Sequence, residues 1–156
     1  MIQKNGKFQK VVDTQPGSFV IANRNGVSFH GFFFGWGEDE DLDMYIVNLD
    51  DLNAVPYAPS NNDRLFVLNN CKIVVDAKIA STSFVVTNAN AGSIAMSADS
   101  DYLVVNHNPG TVPIDMGTGL VHIAGPIGAL GLVTSWKLVQ TRGNEQTTIT
   151  EFPPHP

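Results

Sequence analysis

The sequence predicts an all-β fold: a single antiparallel β-sandwich, jelly-roll-like, or a related barrel, of roughly ten strands. Three observations carry this reading. Fourteen glycines, fourteen asparagines and nine prolines punctuate the chain, with turn signals every eight to twelve residues or so, the rhythm of short strands joined by turns. The apolar segments between them are short and rich in β-branched and aromatic residues, which fit a pleated surface. Two places also carry turn pairs that tolerate positive φ: "NRNG" at 23–26, and Asn69-Asn70 inside "LFVL-NN-CKIV". Both read as tight hairpins.

In chain order, "KFQKVV", "SFVIAN" and "VSFHGFFF" open the fold, with the "NRNG" turn between the second and third. "MYIVN" follows an acidic stretch. Within "EDEDLDMYIVNLDDLNAV" the residues Leu42, Tyr45, Ile46, Leu49 and Leu52 have helical spacing, and the leading acids suit a helix N-terminus. Against a helix, Asp50 and Asp51 would lie at the negative end of its dipole, and "YIV" prefers a strand, so a strand and then a turn is expected. "RLFVL", "KIVVDAKI", "SFVVTN", "SIAMS", "DYLVVN", "LVHIAG", "GLVTSWKLVQ" and "TTITEF" complete the set. "YIVN", "FVLN", "FVVTN" and "LVVN" end at Asn48, Asn69, Asn88 and Asn106, an echo near the period of a β-solenoid rung. The segments between share no pattern, so a meander is preferred. Residues 117–136 carry no formal charge, but five glycines, a proline and a histidine read better as two buried strands around "GPIG" than as a membrane span. A membrane-active or subunit-facing insertion is the minority reading of that run.

At 156 residues the chain suits one β domain, 1–156, ending in a short Pro-rich tail at 153–156. That size buries about 70% of the unfolded surface without disulfides or metals. A single cysteine, Cys71, excludes an internal disulfide and reads as a small core residue. "MIQKNGKFQK" has no apolar run behind its bases, so no secretory signal and cytoplasmic synthesis are expected. Charged residues are 15% of the chain, against roughly 25% in an ordinary domain. So sparse a polar surface points to cover by copies of the chain or by another protein. Seven acids and no bases lie between Glu38 and Asp51, and the bases elsewhere are scattered. Nucleic acid is therefore disfavoured, because phosphate contact needs a basic stripe.

Residues 28–48 hold six aromatics and five carboxylates. Strand alternation puts His30, Phe32, Phe34 and Trp36 on one face and Phe29 and Phe33 on the other. Both faces are apolar, so both need cover: the core, a neighbouring subunit, or a flat ligand such as a sugar on His30, Phe32, Phe34 and Trp36. Asp39, Asp41 and Asp43 match the first three ligand positions of a calcium loop, but Met44 stands where its turn needs glycine and Asp50 where it needs glutamate. A solvated acidic turn is the simpler reading. His107, Asp115 and His122 could hold a transition metal if their strands were neighbours, although no histidine pair has zinc spacing.

The expectation is a non-catalytic structural, assembly or binding module without cofactor, homo-oligomeric, of the kind found among virion or phage proteins. A carbohydrate- or small-ligand-binding module is the first alternative. A small β-fold metal-dependent enzyme is the second.

Overall fold

The protein is all-β and sandwich-like, 61% strand. The computed structural model describes residues 5–38, 40–75, 84–85, 90–107, 110–123 and 127–154; Asp39, Asn88 and His155 lie outside them. Fifteen strands are formed there: β1 (Gly6–Lys10), β2 (Ser18–Arg24), β3 (Val27–Glu38), β4 (Asp41–Asn48), β5 (Arg64–Leu68), β6 (Cys71–Val75), β7 (Phe84–Val85) and β8 (Ile94–Met96). There follow β9 (Asp101–Asn106), β10 (Thr111–Asp115), β11 (Leu120–Val121), β12 (Gly128–Ala129), β13 (Gly131–Val133), β14 (Trp136–Arg142) and β15 (Glu145–Phe152). The number exceeds the expected ten partly because the glycine-rich run after 117 breaks into three short strands rather than two.

Strands β1, β5, β2, β3 and β4 lie side by side in that order, each pair antiparallel. Asn25 and Gly26 adopt φ of 55° and 80°, the left-handed pair that matches a hairpin turn to the strand twist. This is the "NRNG" hairpin, pairing β2 with β3 from Arg24–Val27 to Ser18–Phe33. Residues 41–48 form strand β4 on the far side of β3 rather than a helix.

A second row, β11-β10-β9-β8-β13, continues the same ten-stranded sheet. The two rows join where β11 runs parallel to β3, with Leu120 opposite Gly35 and the Gly35 N–H donating to Gly119 O at 2.9 Å. The sheet is therefore mixed, with this one parallel join among antiparallel pairs in the described residues. Gly119, at φ 71°, allows the join: a Cβ there would overlap the backbone of Pro16 and Gly17, so any other residue would push the turn off β3. Among the described residues the two ends of the sheet path, β1 and β13, do not pair.

A three-stranded sheet, β15-β14-β6, packs against this one, and β7 pairs with β12. Here the second turn departs from expectation. Asn69-Asn70 does not close a hairpin, because β5 pairs with β1 and β2 whereas β6 pairs with β14. Only Asn70, at φ 53°, is left-handed, and the chain crosses between sheets. Gln140, 5% exposed, holds the crossing. Its Nε2 donates to Asn5 O at 2.6 Å and Asn69 O at 2.9 Å, while its Oε1 accepts from Asn5 N at 3.2 Å. The strands ending at or beside Asn48, Asn69 and Asn106 are not neighbours, so the described residues form no solenoid.

The main core lies between the sheets and is shared by both rows and the small sheet. It combines Phe32, Phe34 and Val47 of the first row, Leu103 and Ile114 of the second, and Trp136 and Leu138 of the small sheet. Trp136 donates its indole N–H to Gly92 O at 2.7 Å, which satisfies its one polar atom in the interior. A second core lies behind the first row: Phe29, Phe33, Ile46, Val20 and Leu65, capped by Val11 of a short 3-10 turn and packed by Tyr57. Tyr57 bridges back to Ile46 and sets its ring 5.7 Å from Phe29. Both apolar faces of β3 are thus covered by the chain itself. Among the described residues, no helix is long and apolar enough to cross a membrane.

Candidate functional site: an aromatic pocket at the end of the front face

The period of two along β3 carries Phe32, Phe34 and Trp36 onto its front face, but only the first two reach the core, each 1% exposed. Neither offers a flat face to solvent. Trp36 lies further along the strand and is half-buried. The β3–β4 register sets Tyr45 opposite Phe34 and Asp43 opposite Trp36. Tyr45 consequently stacks on Phe34, with ring centres 5.7 Å apart, and presents its edge to Trp36 at 6.2 Å.

The second row supplies the facing wall. His107, just past the end of β9, lies edge-on to Trp36 at 4.6 Å, and Val112 of β10 stands nearby. The Ile46–Tyr57 bridge draws the loop after β4 back along that strand, which brings Val55 and Pro56 to the rim. Asn106 anchors the same loop, donating from Nδ2 to Asn53 O at 2.8 Å. The result is a partly enclosed cavity of about 140 Å³, lined mainly by rings and aliphatic groups. It unites Phe34 and Trp36 with His107, residues that the sequence placed in separate constellations. Tyr45, Val55 and Pro56 were missed, although the hairpin register made Tyr45 accessible to reasoning.

His30 is not part of this pocket. Its Nδ1 lies 3.0 and 3.1 Å from the two carboxylate oxygens of Asp50, and its backbone N–H donates to Asp50 Oδ2 at 2.9 Å. Asp50 follows directly after β4 turns away, so its carboxylate takes the place of a strand neighbour beside β3. Thr150 of β15 donates its hydroxyl to Asp50 Oδ1 at 2.6 Å, tying the small sheet to the large one. Burial acts to raise the Asp50 carboxyl, but the hydrogen bonds from the His30 ring, the His30 N–H and Thr150, with attraction to His30, outweigh it and hold the carboxyl below its usual value.

The remaining candidates do not converge. Asp41 and Asp43 are exposed, two apart on one face of β4, and Asp39 is outside the described residues. Asp115 and His122 both line a shallower cavity of about 370 Å³, beside Glu38 and Thr118. Asp115 Oδ1 accepts the N–H groups of Gly117 and Thr118, fixing the turn before β11. His122 lies edge-on to Tyr102 at 5.7 Å. His107, by contrast, is at the other end of the β9–β10 pair, since Asn106 pairs with Thr111 and Tyr102 with Asp115. Four residues of strand, roughly 13 Å, separate the two ends. Among the described residues no group of three or more His, Cys, Asp or Glu side chains is arranged to hold a metal. Cys71 is half-buried, and burial pushes its thiol up to about 11, so it is a protonated thiol rather than a nucleophilic thiolate at neutral pH.

No family model, curated protein or solved structure matches the chain.

Proposed function

We infer that the protein is a non-catalytic β-module that acts by association, first of all with copies of itself. One observation supports this most. Phe8 is 66% exposed on β1, the terminal strand of the ten-stranded sheet, with no strand on its outer side among the described residues. Its ring lies edge-on to Phe66 at 5.0 Å, with the Arg64 guanidinium 5.9 Å from its centre. Open edges are ordinarily blunted by charge. Lys7 and Lys10 flank this one, yet a large ring stands between them, and exposed aromatics are the side chains on which interfaces concentrate binding energy. A virion or phage setting fits on composition alone: few charges and many Asn and Gly.

Light scattering at micromolar concentration tests the reading. The wild type should be a multimer with contacts above about 1,000 Å², and Phe8→Ser should shift it toward the 16.8 kDa chain while the far-ultraviolet circular dichroism stays that of the folded β protein. A wild-type monomer would remove the proposal.

The pocket favours a second reading, small-ligand binding at the Trp36 end of β3. It is a concave, largely apolar site with a few polar tips, the usual character of a ligand pocket. Saturable binding of a small molecule that Trp36→Leu removes would establish it.

A further inference from the structure

We propose that the Trp36 pocket takes a small organic cation, an alkylated ammonium group, in preference to a neutral sugar. The inference rests on the ligand-binding reading just given and names its chemical class.

Size comes first. At about 140 Å³ the cavity is below the roughly 300–1,000 Å³ of pockets for drug-sized molecules, and it suits one compact group. Polarity comes next. Among the described residues Asn106 is the one amide in the wall, and its Nδ2 is engaged by Asn53 O. The other polar atoms are single tips on Trp36, Tyr45 and His107, set among aliphatic groups. A hexose would bury several hydroxyls against such a surface, and each unpaired hydroxyl is costly. Methyl groups around a charged nitrogen carry no such demand.

Charge decides between a cation and a neutral apolar group. Trp36 and Tyr45 supply π systems, whose quadrupoles attract positive charge. Among the described residues, no lysine or arginine lines the cavity. Asp43 sits opposite Trp36 in the strand register, and Asp41 opposite Glu38 one step further along the same face. These exposed carboxylates share the Trp36 face of the β3–β4 pair and are not among the described residues of the wall. They add a negative potential that concentrates cations there without demanding a direct ion pair.

The intact protein should be titrated by calorimetry, at constant ionic strength, with choline chloride. 3,3-Dimethylbutan-1-ol, which has the same shape without the charge, and methyl glucoside serve as the comparison probes. Choline is expected to bind saturably, about tenfold or more tighter than the neutral alcohol, the advantage of the cation–π and Coulombic terms. Asp43→Asn, an exposed change, should weaken choline several-fold and leave the alcohol unaffected; Trp36→Leu should abolish both. Methyl glucoside or the alcohol binding as tightly as choline, or Asp43→Asn leaving choline unchanged, would overturn the cationic assignment and leave the pocket as a ligand site. Failure of all three probes to bind at millimolar concentration would overturn the assignment and the ligand-binding reading together.

Discussion

Phe33 and Phe34 are adjacent in the chain and sealed in different layers. Phe33 contributes to the core behind the first row, and Phe34 to the core between the sheets. A buried phenylalanine cut to alanine loses both its transfer free energy and the packing around the cavity left behind. Phe33→Ala and Phe34→Ala should therefore each destabilise the protein by about 3–5 kcal/mol in urea titrations. A loss below about 1 kcal/mol for Phe34→Ala would mean that its face is open rather than packed. Trp36, two positions on, is the ring that the pocket reading needs exposed, and alternation alone could not separate it from Phe34. Period two assigns a side chain to a face; how far the covering sheet extends along that face is a tertiary fact.

Among the elements, the two asparagine turns show what was legible. At 25–26 the sequence asks for two left-handed residues, and the strands on either side are their own partners, so local chemistry decides the hairpin. At 69–70 the same chemistry is present, but the following strand finds β14, and the amide that fixes the crossing belongs to Gln140. No local signal names that partner. The meeting of His107 with Trp36 is hidden for the same reason, since it depends on the parallel join of β11 to β3. Asp50 was also passed over, because in sequence it was only the end of an acidic turn. Its carboxyl joins β3 to β15, and its ordinary value of 3.8 is lowered on folding. A lowered acid contributes stability above its unfolded pKa and loses that contribution as pH falls through the folded one. Asp50→Asn should thus cost about 1 kcal/mol near neutrality, given hydrogen bonds to a charged but half-exposed group. The gap from wild type should close below about pH 4. Denaturant titrations at both pH values measure this, and a gap that widens in acid would contradict it.

At the scale of the whole molecule, the all-β class and the strand character of nearly every apolar run were readable, because composition and alternation are local properties repeated along the chain. Two expectations shift. The aromatic stretch on β3 needs no neighbouring subunit, since Val11 and Tyr57 close its second face. The case for association passes instead to Phe8, which alternation alone did not mark as exposed.

The crossing at Gln140 also bears on the order in which the molecule is built. Strands β2, β3 and β4 are successive in the chain, as are β8, β9 and β10, so both rows can zip from nearby segments. The Gln140 bonds span 71 positions to Asn69 and 135 to Asn5, and closing such distances costs loop entropy before any contact rewards it. These bonds should therefore be absent at the folding barrier. Gln140→Leu leaves Asn5 and Asn69 carbonyls without that donor and should lower stability by about 1–3 kcal/mol. Nearly all of the change should fall on the unfolding rate, with refolding in stopped flow little altered. A refolding rate that drops in proportion would place this corner in the nucleus instead. A protein arranged in this way is held shut by a latch that closes last, so its lifetime in the folded state can be tuned there without altering how readily it forms.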